Sequence, residues 1–166
     1  MNKRAEVISY LNDLNIPFEL HEHPPVPTVE EALPYWKDID SAHCKNLFFR
    51  NHKGNRHYLV ILDHRRQLNI KDLEQKLKQG KISFASPKRM ERYLGLSAGS
   101  VSVFGIINDH ENHVHLFLDE ALQSASHISF HPNENNATLV ISFASFLRFL
   151  ETSGNSYEFI ALYEDG

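Results

Sequence analysis

Cys44-Lys45-Asn46-Leu47-Phe48-Phe49-Arg50 and His57-Tyr58-Leu59-Val60-Ile61-Leu62 are two runs rich in aromatic and branched residues, separated by a turn built on Lys53-Gly54-Asn55. Such residues pack well on a pleated surface, and glycine between two such runs marks a tight connection, so the stretch reads as a β-hairpin. Downstream, Asn69 to Leu77 places Ile70, Leu73 and Leu77 on one helical face, and Gly80 stops it. Ile82 to Ala85 is a short strand. Ser86-Pro87 supplies an N-cap with proline at the first helical position, and Gly95 closes that helix. Upstream, Ala5, Ile8, Leu11 and Leu14 recur at helical spacing within residues 3–14, and Ile16 to His21 reads as a strand. Thr28 with Glu31 forms a capping box, opening a helix expected to be short because Pro34 cannot continue it.

His113 to Leu118, Ser126 to Phe130, Ala137 to Ser142 and Tyr157 to Tyr163 are further strands, with a helix from Phe143 to Leu150 ended by Gly154. Strands and helices interleave while several strands are linked as hairpins. The expected fold is therefore α/β (α+β), a mixed central β-sheet with surrounding helices, and residues 1–166 form a single domain. Hydrophobic residues make up 42% of the chain, enough for a core without staples. One cysteine forms no internal disulfide, and the N-terminal residues lack the apolar core of a signal peptide. No apolar run approaches the roughly 20 residues of a bilayer span, so the expected setting is cytoplasmic, with no membrane partner.

The formal net charge is −4, but it is unevenly distributed. Residues 1–44 hold 3 basic and 8 acidic side chains, residues 45–92 hold 13 and 4, and residues 93–166 hold 1 and 9. The central segment at +9 can form a phosphate-binding face, because backbone neutralisation is local; a pair of solvated Lys-rich helices explains the same charge.

Three pieces can carry chemistry. Gly99-Ser100-Val101-Ser102-Val103-Phe104-Gly105 is a glycine-flanked loop whose backbone can approach a ligand, or serve as a tight connection. Lys45 and Asn46 open an apolar strand at the sheet's end, where a cation can hold a phosphate and an amide can hydrogen-bond a sugar or carbonyl; a lysine snorkelling from an edge is the plainer reading. Phe130-His131-Pro132-Asn133 ends a strand on a histidine able to hydrogen-bond a ribose, move a proton near neutral pH, or simply make structural contacts.

In order and approximate spacing, these three pieces resemble the YbaK-like prolyl-tRNA editing domains, over essentially the whole chain and including the His23-Pro24-Pro25 and Thr28 region. The likeness is greatest to the free-standing branch that clears alanine from proline tRNA. The resemblance implies a trans-editing hydrolase that deacylates alanyl-tRNA(Pro) by water attack on the aminoacyl ester, with no metal, no cofactor and no covalent intermediate. It implies that Lys45, Gly99, Ser100, Val101 and His131 are catalytic. Asn46, Thr28, Ser102, Val103, Phe104, Gly105 and Asn133 would bind substrate, with Val101, Val103 and Phe104 limiting the size of the amino acid. The implied partners are the tRNA(Pro) acceptor end and prolyl-tRNA synthetase, not DNA. One departure stands out: relatives carry proline in the loop pattern where this chain has Val103.

Other readings compete. Cysteinyl-tRNA(Pro) is the alternative substrate, and a non-catalytic tRNA- or synthetase-binding module is the alternative class. His113-x-His115 with nearby His110, and His21-x-His23, have the spacing of a metal site but no cysteine cluster or His-Glu-x-x-His helix beside them. Cys44 beside Lys45 is either an activated thiol or a buried structural one. Arg65, Arg66, Lys88 and Arg89 are expected to face the acceptor stem, so that reversing their charge weakens RNA binding while leaving the fold intact.

Overall fold

A computed structural model describes residues 2–162. The elements are α1 (Lys3–Asp13), β1 (Glu19–Glu22), α2 (Val29–Trp36), β2 (Ala42–Asn51), β3 (His57–Asp63), α3 (Ile70–Leu77), β4 (Ile82–Phe84), α4 (Pro87–Leu94), β5 (His115–Asp119), β6 (His127–Phe130), β7 (Ala137–Ser142), α5 (Phe143–Ser153) and β8 (Tyr157–Ile160). Two 3-10 turns, Ala98–Ser100 and Val103–Asn108, lie between α4 and β5. The expected last strand ends at Ile160, and its Tyr163 lies outside the described residues.

Among the described residues the strands make one mixed eight-stranded sheet in the order β1-β7-β6-β2-β3-β5-β8, with β4 also on β2. β2 and β3 form the expected antiparallel hairpin, from Cys44 opposite Asp63 to Arg50 opposite His57. β3 is central, and its residues from His57 to Leu62 are all buried, as befits a strand covered on both faces. α3 packs Leu73 and Leu77 on one face with Phe49, Val60 and Leu62. The other face carries the larger core, where Leu11, Phe104, Phe146 and Phe149 pack with Phe48, Leu59 and Ile61.

The outer edge of β2 is shared. β6 runs parallel to it at Ala42 and His43, and β4 runs antiparallel at Phe49–Asn51. Residues Cys44–Leu47 lie between these two partners and pair with a strand only on the β3 side. This gap in the sheet creates the site. It sits near the C-terminal end of the parallel strands β3, β5 and β8, the end where open α/β sheets receive ligands.

One expectation needs correcting. α2 does not stop at Pro34 but continues to Trp36. Proline deletes only the bond to the carbonyl of Glu30, an exposed residue whose carbonyl water can satisfy. Beyond it, buried Trp36 is fixed by its indole N–H, which donates to Thr138 Oγ1 at 3.0 Å. Thr28 caps the helix as expected, its Oγ1 accepting from the Glu31 N–H at 3.3 Å.

Candidate active site

The gap opens into a cleft of about 190 Å³ walled by Thr28, Trp36, Cys44, Lys45, Asn46, Leu47, Gly99, Val101 and His131, together with Val26, Pro27, Val29 and Ala98. Four separate stretches of chain therefore converge on it: the loop into α2, the start of β2, the first 3-10 turn, and the end of β6.

Side chains alternate across β2, so Lys45 and Asn46 leave its two faces. Lys45 Nζ donates to the Arg66 carbonyl at 2.7 Å, which uses one of its three hydrogens. Asn46 Oδ1 accepts from the Val103 N–H at 3.1 Å. With its oxygen committed to the loop, Asn46 presents its two N–H donors elsewhere. Proline at this position has no N–H to give, so the valine supplies the bond that orients Asn46.

His131 is held by the Ala137 carbonyl at 2.8 Å. A carbonyl only accepts, so Nδ1 carries the hydrogen and Nε2 is the acceptor nitrogen of a neutral ring. Burial lowers the His131 pKa, and the nearby His23 ring adds to the effect against the Ala137 bond. Beside it, Trp36 stacks on His43 at 4.6 Å between ring centroids and meets His64 edge-on at 5.3 Å. Burial lowers the pKa of both imidazoles as well.

The glycine-flanked loop divides in two. Gly99 and Val101 line the cleft, with the Gly99 carbonyl accepting from Asn135 Nδ2 at 3.2 Å. Ser100 is half-buried in the same turn but not part of the wall. Ser102, Val103, Phe104 and Gly105, expected to touch substrate, are instead buried beneath the cleft. Val103 and Phe104 belong to the large core and are not in the wall; Val26, Pro27, Val29, Trp36, Leu47, Ala98 and Val101 are the apolar residues that line the space. Gly105 is required by packing, since a Cβ there would lie 2.8 Å from Leu96 Cδ1 and 3.0 Å from Leu94 Cβ. Asn133 is also buried, adopts a left-handed φ of 62°, and donates from Nδ2 to the Phe104 carbonyl at 3.2 Å. It holds the loop from behind.

Cys44 lines the cleft but donates weakly to the Ala42 carbonyl at 3.5 Å, and burial pushes its thiol pKa well up. The thiolate needed for nucleophilic attack is thus disfavoured. Three of the candidate metal-spaced histidines are hydrogen-bonded elsewhere. His113 bonds His57, His115 bonds Ser156 and Glu158, and His23 bonds the Pro24 carbonyl and Thr138. Among the basic residues expected to meet RNA, Arg65 is exposed and paired with Asp63 at 2.8 Å. Arg89 is half-buried, donating to the Gly54 carbonyl at 2.9 Å and to His57 Nε2 at 3.0 Å, so reversing its charge would disturb the fold.

Residues 23–149, which include every wall of this cleft, match the model of the aminoacyl-tRNA editing domain. The chain belongs to that family. Among curated relatives, the prolyl-tRNA editing protein ProX of Acetoanaerobium sticklandii is 38% identical over 164 residues, 98% of this chain and 99% of the relative. The prolyl-tRNA synthetase associated domain-containing protein 1 of Mus musculus is 35% identical over 156 residues, 92% of each chain. Among solved structures, the hypothetical protein APE2540 superposes with a TM-score of 0.71 at 20% identity, over 93% of this chain and 98% of that one. A proposed trans-editing enzyme for prolyl-tRNA synthetase gives 0.71 at 19% identity, over 97% and 98%. At these identities the two structures show a shared fold, the mixed sheet and flanking helices of an editing domain.

The sequence did not single out Val26, Pro27, Leu47 or Ala98 as cleft walls, nor Asn135 as the anchor of Gly99. Pro27 lies against Gly99, where a Cβ would meet Pro27 Cβ at 3.2 Å. Contacts across some 70 residues leave no local periodicity to detect. The doubled proline motif 24–25 was the nearest signal.

Proposed function

We propose that the cleft hydrolyses the ester of a mischarged tRNA(Pro), alanyl-tRNA(Pro) in particular, with water as the nucleophile. The observation that carries this reading is the convergence of Lys45, Asn46, Gly99 and a neutral His131 on one small hollow of mixed polar and apolar lining. Lys45 has hydrogens left for a phosphate or ribose oxygen at the 3′ end, and Asn46 directs N–H donors at a sugar or ester oxygen. Ala98 and Gly99 open a 3-10 turn at the wall, and the leading amides of such a turn find no partner within it. Donors of this kind stabilise the oxyanion formed as water adds to the ester, each worth about 3–4 kcal/mol. His131 Nε2, the acceptor nitrogen of the neutral ring, would accept a hydrogen bond from the ribose or the attacking water.

Selectivity follows from volume. A synthetase pocket built for proline rejects a smaller side chain by only about 1–3 kcal/mol per missing methylene, so a second, smaller site must remove the error. Trp36, Val29 and Val101 would set that limit here. The names of the relatives, a prolyl-tRNA editing protein and a prolyl-tRNA synthetase associated domain protein, agree in pointing to proline tRNA and to prolyl-tRNA synthetase as partner. The test is a deacylation panel of alanyl-, cysteinyl-, seryl- and prolyl-tRNA(Pro). Release of alanine with prolyl-tRNA(Pro) untouched is expected. Preferential release of cysteine would reassign the substrate, and no release from any of them would leave a binding module.

A further inference from the structure

A second concavity lies at the opposite end of the sheet from the cleft. Two adjoining hollows of about 460 and 440 Å³ share Asn55, Arg56, Tyr58 and Gln79 and run along the N-terminal ends of β3, β5 and β8. Six residue steps of β3 at ~3.3 Å separate this groove from the cleft, about 20 Å.

Its charge is one-sided. Lys53, Arg56 and Lys81 line it, with His113 and His115, and the one carboxylate in its wall among the described residues, Glu158, is taken by His115 at 3.1 Å. Among the described residues, Lys53, Arg56 and Lys81 have no carboxylate within ion-pair distance. Beneath the groove a hydrogen-bond chain fixes the imidazoles. Arg89 can only donate, so His57 Nε2 accepts; His57 Nδ1 then donates to His113 Nε2 at 2.9 Å, and a neutral His113 is left with its hydrogen on Nδ1. Arg89, Arg50 and Arg92 add positive field around His57, which burial holds at a pKa of about 4. The wall therefore offers three cations and several N–H donors beside a carboxylate that is already paired.

We propose that this groove binds the phosphodiester backbone of the RNA whose 3′ end occupies the cleft, giving the domain a second contact beyond the acylated end. The proposal rests on reading the cleft as a site for aminoacyl-tRNA. The cations are spread over the β2–β3 turn and the α3–β4 connection rather than converging on one point, which suits a row of phosphates better than a single compact anion. Such contacts add affinity and salt dependence without choosing the amino acid.

The test compares full-length tRNA(Pro) with a short RNA hairpin carrying only the acceptor end. In a Lys53→Glu/Arg56→Glu/Lys81→Glu variant, affinity for uncharged tRNA is expected to fall on the order of 10-fold. The slope of log affinity against log salt should shrink by about three, roughly one per lost contact. Deacylation of the alanylated hairpin should stay within about twofold of wild type. Unchanged tRNA affinity and slope would overturn the proposal, and so would an equal loss on both RNAs, which would put the contact at the 3′ end. A milder Lys53→Gln/Arg56→Gln/Lys81→Gln variant, checked for an unaltered Tm, guards against a folding defect. If the wild type deacylates neither RNA, the reading of the cleft fails, while the salt slope with uncharged tRNA still decides the groove.

Discussion

The two ends of the β2–β3 hairpin are built from the same kinds of side chain and use them in opposite ways. At the cleft, Lys45, Asn46 and His131 each spend one group on the protein and hold others in reserve. At the far end, both ring nitrogens of His57 are bonded, and Arg89 Nη1 serves the Gly54 carbonyl and His57 together. A polar group with capacity left over, at the wall of a hollow, is available for chemistry; one fully engaged in a buried chain is part of the structure. Residue type does not separate the two cases. Hydrogen-bond accounting does.

Substitutions at the two ends should break function and stability separately. The largest effect is expected for Lys45→Ala, which should lower kcat/KM for alanyl-tRNA(Pro) by at least about 100-fold, in line with loss of one strong donor, with Tm little changed. His57→Ala should do the reverse. Removing a fully buried ring that accepts from Arg89 should cost about 2–4 kcal/mol in denaturant unfolding, while kcat per folded molecule stays near wild type. Reduced unfolding free energy in the lysine variant, or lost turnover in the histidine variant, would erase the distinction.

The two loop glycines sharpen it further. A Cβ at Gly105 meets Leu96 and Leu94 at 2.8 and 3.0 Å, so Gly105→Ala should destabilise by about 1–3 kcal/mol. At Gly99 the nearest atom is Pro27 Cβ at 3.2 Å. Gly99→Ala should therefore destabilise less than Gly105→Ala, by about 1 kcal/mol or less, and act mainly on KM and kcat.

Acid should weaken the fold through the buried imidazoles. His57 has a pKa of about 4 in the folded chain and near 6.5 when unfolded. The unfolded chain thus binds more protons, and the stabilisation is full above about pH 6.5 and lost as pH falls towards 4. His43, His64 and His131, also lowered by burial, act in the same direction. A Tm series across this window should fall with acid, and His57→Asn should flatten it. The smallest kinetic effect is expected for Val103→Pro. Val103 is the first residue of a 3-10 turn, where proline is tolerated, yet its amide bond to Asn46 would be lost. Tm should fall modestly, from the lost bond and the altered core packing, while kcat or the preference between alanyl and cysteinyl substrates shifts several-fold; unchanged kinetics would show that Asn46 needs no such orientation.

Much of the fold was readable because its signals are local. The Lys53-Gly54-Asn55 turn, the caps at Thr28 and Ser86 and the stop at Gly95 all appear as read, since each depends on residues a few positions apart. The site was legible in part. Lys45, Asn46, Gly99, Val101, Thr28 and His131 do meet at one cleft. Ser102 to Gly105 lie under the cleft rather than in its wall, and nothing in a glycine-serine loop tells which half turns inward; that depends on Leu94 and Leu96 in α4 and its exit, on Asn46 in β2 and on Asn133 after β6. Pro34 misled because the local rule omits the anchoring of Trp36 to Thr138, 102 residues away.

The most direct measurement is release of the amino acid from alanyl-tRNA(Pro) and prolyl-tRNA(Pro) by the wild-type chain and by Lys45→Ala. Rapid release of alanine by the wild type alone, with proline retained, is the predicted result. Equal loss of both amino acids, or alanine release that survives in Lys45→Ala, would contradict the assignment of the cleft as a size-selective hydrolytic site.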